Sequence, residues 1–191
     1  VNRGQISRIF TLTNRGSFDN QGRLDDYGFI TNTSGAEFVV AEGGTVEAGP
    51  FGFGEYRDFG GITQVDGRLQ ANLIQLQGAW LKGHGTLVGP VALVGAEVAP
   101  DVGTGLTIDG SVTGNATFYI TWSGAGLHSR LNVTGDLALQ PGMVYFVLSP
   151  DGYVPQAGDR VQWLSVGGFA QGLDALPYHA GLDAEVRRRH Q

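Results

Sequence analysis

Few residues in this 191-residue chain have both the type and the spacing to do chemistry. Asp19 and Asp25 stand six apart, Asp25 and Asp26 are adjacent, and Glu55 and Asp58 bracket Arg57. Carboxylate pairs on one face are what glycoside cleavage uses, one as acid and the other as base or nucleophile. Neighbours along a strand project to opposite sides, which separates Asp25 from Asp26, whereas Asp19 and Asp25 are expected to face the same way. Only Arg23 and Arg57 are close enough in sequence to neutralise an acidic sugar. The histidines, His84, His128, His179 and His190, stand far apart without the short spacings of metal ligands. There is no Cys, no nucleophile elbow, no phosphate-binding loop and no helix-borne zinc motif. Gly83-His84-Gly85 fails as a dinucleotide fingerprint, because Val88 takes the place of the third glycine. The chain is therefore read as a non-enzyme with no catalytic residue and no metal, nucleotide or redox cofactor.

Composition points to architecture instead. The chain has 32 Gly and only 16% charged residues, where average usage is about 7% Gly and roughly 25% charged. Its 41% hydrophobic content is more than a disordered chain carries. The glycines do not recur every third residue and there are only 7 prolines, which excludes collagen. With 18 acidic and 12 basic residues the net charge is −6, and the only basic cluster is Arg187, Arg188 and Arg189, so no nucleic-acid partner is expected. No apolar run approaches the roughly 20 residues of a membrane-spanning segment.

The N-terminus repeats. In sixes from Gly4 it reads GQISRI, FTLTNR, GSFDNQ, GRLDDY, GFITNT. Ile6, Leu12, Phe18, Leu24 and Ile30 share the third place, and Asn14, Asn20, Asp26 and Asn32 share the fifth. A period of six fits neither a helix, at 3.6, nor one long strand, at 2. It fits short strands joined by corners, with the apolar column inward and Gly, Asn or Asp turning the chain. Such units stack into a parallel β-solenoid. Asn14, Asn20, Asp26 and Asn32 then read as a structural ladder, the alternative being an exposed row that binds a ligand.

Residues 1–60 are assigned to these hexad coils. Within them, residues 49–61 form an aromatic, glycine-rich segment expected to leave the solenoid as a loop. Phe51, Phe53, Tyr56 and Phe59 in that segment are the candidate contacts for a partner or a cell-surface glycan, the alternative being that they pack over an open flank. From residue 61 to 172 the chain runs through alternating β-type segments with Gly, Pro, Asp and Asn turns. Trp80, Trp122 and Trp163 each lie in one of these segments and are read as packing residues. Residues 173–191 read as a tail or cap, with one helical turn at 182–189.

The stretch Leu81-Lys-Gly-His-Gly-Thr-Leu-Val-Gly89, followed by Gly95-Ala-Glu-Val-Ala-Pro-Asp-Val-Gly-Thr-Gly-Leu-Thr-Ile-Asp-Gly110, resembles autotransporter passengers and related exported β-helix surface proteins of bacteria. Ser129-Arg-Leu-Asn-Val-Thr-Gly135 and Leu139-Gln-Pro-Gly142 are similar to that family's closing coils. The resemblance implies a β-helix and an extracellular or cell-surface location.

The expected fold class is all-β, a parallel β-solenoid, with a β-sandwich-like C-terminal part as the alternative ending. The expected function is an exported structural or adhesive module, with a carbohydrate-binding or carbohydrate-cleaving β-helix as the alternative. Because the hexads begin within four residues of Val1, the first coil is expected to be open and to pair with another copy, as a dimer or a head-to-tail filament. Replacing Leu24 by Asp buries an unpaired charge and is expected to cost about 3–5 kcal/mol; an unchanged melting temperature would overturn the hexad assignment.

Overall fold

In the computed structural model, residues 1–49, 53–124, 126–140, 144–148, 152–154, 160–173, 183–184 and 187–188 are described. They form strands and turns with no helix, and the strands stack in parallel as a β-solenoid. One turn of chain makes three walls. The hexad is one wall, and three hexads bring the chain back above itself, so that Ile6 pairs with Leu24 and Leu12 with Ile30. Asn14 accordingly bonds to Asn32, 18 residues on.

The first wall begins with the first halves of Gln5–Asn14 and Arg23–Asn32. It continues through Thr45–Ala48, Arg68–Ala71, Thr86–Val88, Leu106–Asp109, Leu131–Val133, Leu164–Val166 and Arg187–Arg188. The second begins with the second halves of the same two strands and continues through Glu55–Phe59, Leu73–Gln77, the start of Val91–Pro100, the start of Val112–Gly124, Leu137–Leu139 and Ala170–Gln171. The third runs Ser17–Asn20, Glu37–Val40, Ile62–Val65, Trp80–Gly83, the ends of the two long strands Val91–Pro100 and Val112–Gly124, then Val144–Leu148. Later turns lengthen: Leu131 finds its partner only at Leu164.

Each wall alternates inward and outward residues, as a strand with one buried face must. The inward set, including Leu24, Ile30, Phe38, Val46, Leu69, Ile74, Leu81, Leu87, Val98, Ile108, Phe118 and Leu131, is one continuous core. Ile6, Leu12 and Phe18 point the same way but are only partly buried, because they belong to the first rung and are covered from one side.

Three expectations are corrected here. The ladders stay parallel beyond Gly103, and the described antiparallel pairings are only Val112–Gly124 with Leu127–His128 and the bridge Val102 to Ser129, so the described residues of the C-terminal part are solenoid and not a sandwich. Asp183–Ala184 and Arg187–Arg188, the described residues of the expected helical turn, are strands: Asp183–Ala184 pairs with Arg160–Val161 in a separate two-stranded sheet, and Arg187–Arg188 adds to the first wall, where the unpaired edge of Leu164–Val166 recruits extended chain. Glu55–Phe59 is a strand of the second wall, not a loop.

At some corners glycine is required because the rungs touch there. Gly4, Gly22, Gly44, Gly67 and Gly85 form one column; the first four carbonyls accept the backbone N–H of the residue after the next glycine, Arg23, Thr45, Arg68 and Thr86, and the Gly85 carbonyl accepts that of Thr107. A Cβ on Gly22, Gly67 or Gly85 would overlap the carbonyl oxygen of the glycine one rung before it, and on Gly44 that of Asn20. None of these glycines has a positive φ. Close approach, not backbone freedom, is what excludes a side chain there. Gly67→Ala is expected to destabilise by about 1–3 kcal/mol, the cost of overpacking, whereas Gly16→Ala, with nothing within 4 Å of its Cβ, is expected to be neutral or slightly stabilising. Urea melts of the two variants check this, and equal midpoints would contradict it.

Candidate functional site

The aromatic candidates do not form one surface. Tyr56 is fully buried, with its ring edge against Phe38 at 5.3 Å. Phe53 is 81% exposed and Phe59 39% exposed. Phe51 lies outside the described residues. Because Tyr56 and Asp58 alternate inward on a wall strand, the segment puts its most polar partners into the core.

There they complete a network that begins in the hexads. Asn14 Nδ2 donates to Asn32 Oδ1 at 2.9 Å, and Asn32 Nδ2 donates to Asp58 Oδ2 at 2.9 Å. Asp58 Oδ1 accepts the Gly61 N–H at 2.8 Å, Thr63 Oγ1 donates to Asp58 Oδ2 at 2.6 Å, and Tyr56 Oη stands 2.6 Å from Thr63 Oγ1. With the Thr63 hydroxyl committed to Asp58, the Tyr56 hydroxyl is the donor in that last bond. Burial raises the pKa of Asp58 above its ordinary value even with these donors, and burial followed by the nearby Asp58 charge pushes Tyr56 well up, keeping the phenol protonated.

The four-residue column read from the repeat is thus divided among corners. Asn14 and Asn32 share one ladder; Asn20 accepts from Asn2 Nδ2 at 2.7 Å in another. Asp26 joins neither: its Oδ1 accepts the Gly28 N–H at 2.8 Å, its Oδ2 is buried with no partner, and burial raises its pKa. All four are buried, so none offers a row to a ligand in solvent.

The carboxylate pairs are likewise taken apart. Asp19 is on the third wall and Asp25 on the first, since six residues advance the chain by one wall. Glu55 faces outward on Arg57 at 2.6 Å while Asp58 faces the core. Outside the first wall, Arg23 bonds Asp25 at 2.8 Å and reaches Glu47 at 3.5 Å. With Arg68 and Gln70 they line a cleft of about 130 Å³, well below the roughly 300–1,000 Å³ of small-molecule sites.

One cluster is assembled that the sequence keeps apart. Asp66, His84 and Asp101 each follow a third-wall strand at the same corner, on three successive rungs. His84 Nδ1 lies 3.0 Å from Asp101 Oδ2 and 3.2 Å from Asp66 Oδ1. The hydrogen bond to Asp101, helped by the nearby Asp66, Asp101 and Glu42 charges, raises the His84 pKa above 6.5 against the opposing effect of burial. Local ligand spacing could not reveal this group, because its members are one rung apart; knowing the rung length would have aligned them. Among the described residues, these three are grouped so that they could hold a cation.

His128 is the opposite case. It is buried, Nε2 donates to the Gln162 carbonyl at 3.1 Å, and Nδ1 is buried without a partner. A second proton would have to sit on that unpartnered Nδ1, in a ring whose Nε2 already stands 3.4 Å from Arg130 Nε.

No protein-family model matches the chain, and no curated protein or solved structure matches it significantly.

Burial, with the neighbouring Arg130 charge, lowers the His128 pKa below 6.5. The unfolded chain then binds the proton more readily than the folded one, so the stability tied to neutral His128 is complete above pH 6.5 and is lost as pH falls through and below that value. His128→Gln keeps an N–H for the Gln162 carbonyl and removes the titration. The gap in melting temperature between the native chain and this variant is expected to narrow from pH 7.5 to about 5.5; a constant gap would refute the assignment.

Proposed function

We propose that this chain is a non-enzymatic structural or adhesive module, an exported β-solenoid of the bacterial cell surface or extracellular matrix that associates with its own copies. The observation that carries the reading is the first rung. Among the described residues Gln5–Asn14 is paired along one edge only, to the next rung, and the outer edge of Ser17–Asn20 is met by Asn2 alone, through Asp19 and Gln21. Ile6, Ile9, Leu12 and Phe18 lie half-covered on that end of the core, and Val1 and Phe10 are each 77% exposed. Strand edges beside uncovered apolar surface recruit further strands, and a second copy is a source of such strands. The wall surfaces carry outward charged and polar side chains, and the cleft at Arg23, Glu47 and Arg68 is shallow, which suits a rod acting through its shape.

A carbohydrate-binding wall is the second reading. It draws on Trp80 and Tyr119, whose rings stack at 5.1 Å on the outside of the third wall, with Lys82 Nζ 5.1 Å from the Trp80 ring. Sugars bind such amphipathic aromatic surfaces, and Trp80→Ala would then reduce retention on a polysaccharide column.

Static light scattering across a wide dilution range tests the first reading. Mass rising with concentration is the expected result; a monomer at every concentration would overturn self-association.

A further inference from the structure

We propose that Asp66, His84 and Asp101 form a binding site for one divalent transition-metal ion of the zinc type. The corner of the third wall stacks the three residues on successive rungs, so the solenoid itself holds them together. Their ligand atoms all lie within 4.8 Å of one another. Ligands about 2.0–2.1 Å from a tetrahedral zinc are roughly 3.3 Å apart. The His84 to Asp101 and His84 to Asp66 distances, 3.0 and 3.2 Å, are close to that edge. Asp101, with a side chain 48% exposed, is free to close the third edge.

A second, independent observation concerns Asp66. Its Oδ2 is fixed by Gln64 Nε2 at 2.6 Å, which aims Oδ1 at the cluster. That Oδ1 is buried and accepts no hydrogen bond. A neutral imidazole has one N–H and Nδ1 is shared between two carboxylates, so the Asp101 bond leaves Asp66 unsatisfied. A cation between the three atoms satisfies all of them. Room for it is kept by Gly83: a Cβ at that position would come within 2.7 Å of Asp66 Oδ1.

The donor set selects the ion. Two carboxylates balance a 2+ charge, and Glu42 adds to the negative field at the imidazole. An imidazole nitrogen with two carboxylates suits zinc and its neighbours, whereas calcium demands six to eight oxygens and magnesium an octahedral, largely hydrated shell. Three protein ligands leave a fourth position for water, and His84, 35% exposed in its side chain, gives access from solvent.

The test is calorimetric titration of the tag-free, chelator-stripped full chain with Zn²⁺ near neutral pH, with Co²⁺ absorption as a probe of tetrahedral geometry. Expected are one saturable equivalent and an intense tetrahedral Co²⁺ band, both lost in His84→Ala and unaffected by excess Ca²⁺. Asp101→Asn, at the exposed end where folding is not at stake, is expected to weaken Zn²⁺ by roughly 10–100-fold, the range for altered groups around a metal. Absence of saturable Zn²⁺ binding would overturn the site and leave an imidazole bridged between two carboxylates by protons alone. Equal binding by Asp101→Asn and the native chain would overturn it too, placing the ion on other histidines.

Discussion

Everything in this protein depends on the chain returning, after each turn, to within backbone hydrogen-bonding distance of the rung before. Parallel pairing is slightly weaker per residue than antiparallel pairing, and a rung's wall strands are often only four residues long. No single strand pair is strong enough to stand alone. Stability comes from three ladders sharing one core, so that a displacement on one wall misplaces the apolar residues of the other two. The corner glycines set how closely this can be done. Their carbonyls accept the next rung's N–H groups, and a methyl group at Gly67 would meet the Gly44 carbonyl instead of open space.

A purely apolar interior would leave the corners unsatisfied, since a turning backbone cannot bond all its carbonyls to the neighbouring rung. Asn14 and Asn32 resolve this by facing inward. The Asn14 amide donates to the Glu37 carbonyl at 2.7 Å and the Asn32 amide to the Ile62 carbonyl at 3.1 Å, while each also reaches the next side chain up the column. The ladder ends at Asp58, which gathers donors from Asn32, Thr63 and the Gly61 backbone. Buried polar chains of this kind are costly if one member is missing, which makes them registers as much as glue: a rung slipped by one residue would bury an amide against Leu or Ile.

The solenoid was legible in the first thirty residues because the hexad there is strict, and Leu24 and Ile30 are inside as the repeat requires. What the period does not reveal is its multiplicity. Six residues could be a whole coil or a third of one, and only the pairing of Ile6 with Leu24 shows that three make a turn. That one missing integer accounts for several misplacements. Without it Asp19 and Asp25 are expected to share a face, the Asn column to be a single ladder, and His84 to stand without ligand spacing. The aromatic segment was misjudged for a different reason. Its glycines and charges imitate a loop, and burial of Asp58 is legible only once Asn32, Gly61 and Thr63 are in place around it.

The stacked rung also has a mechanical side. A rung adds about 4.8 Å to the length of the rod, yet its 18 residues, as between Asn14 and Asn32, would stretch to roughly 60 Å once peeled away. Since each rung is held chiefly by its neighbours above and below, tension applied at the ends draws chain off turn by turn. A short stiff rod of this construction carries, coiled within it, a reserve of extension about twelve times its own length.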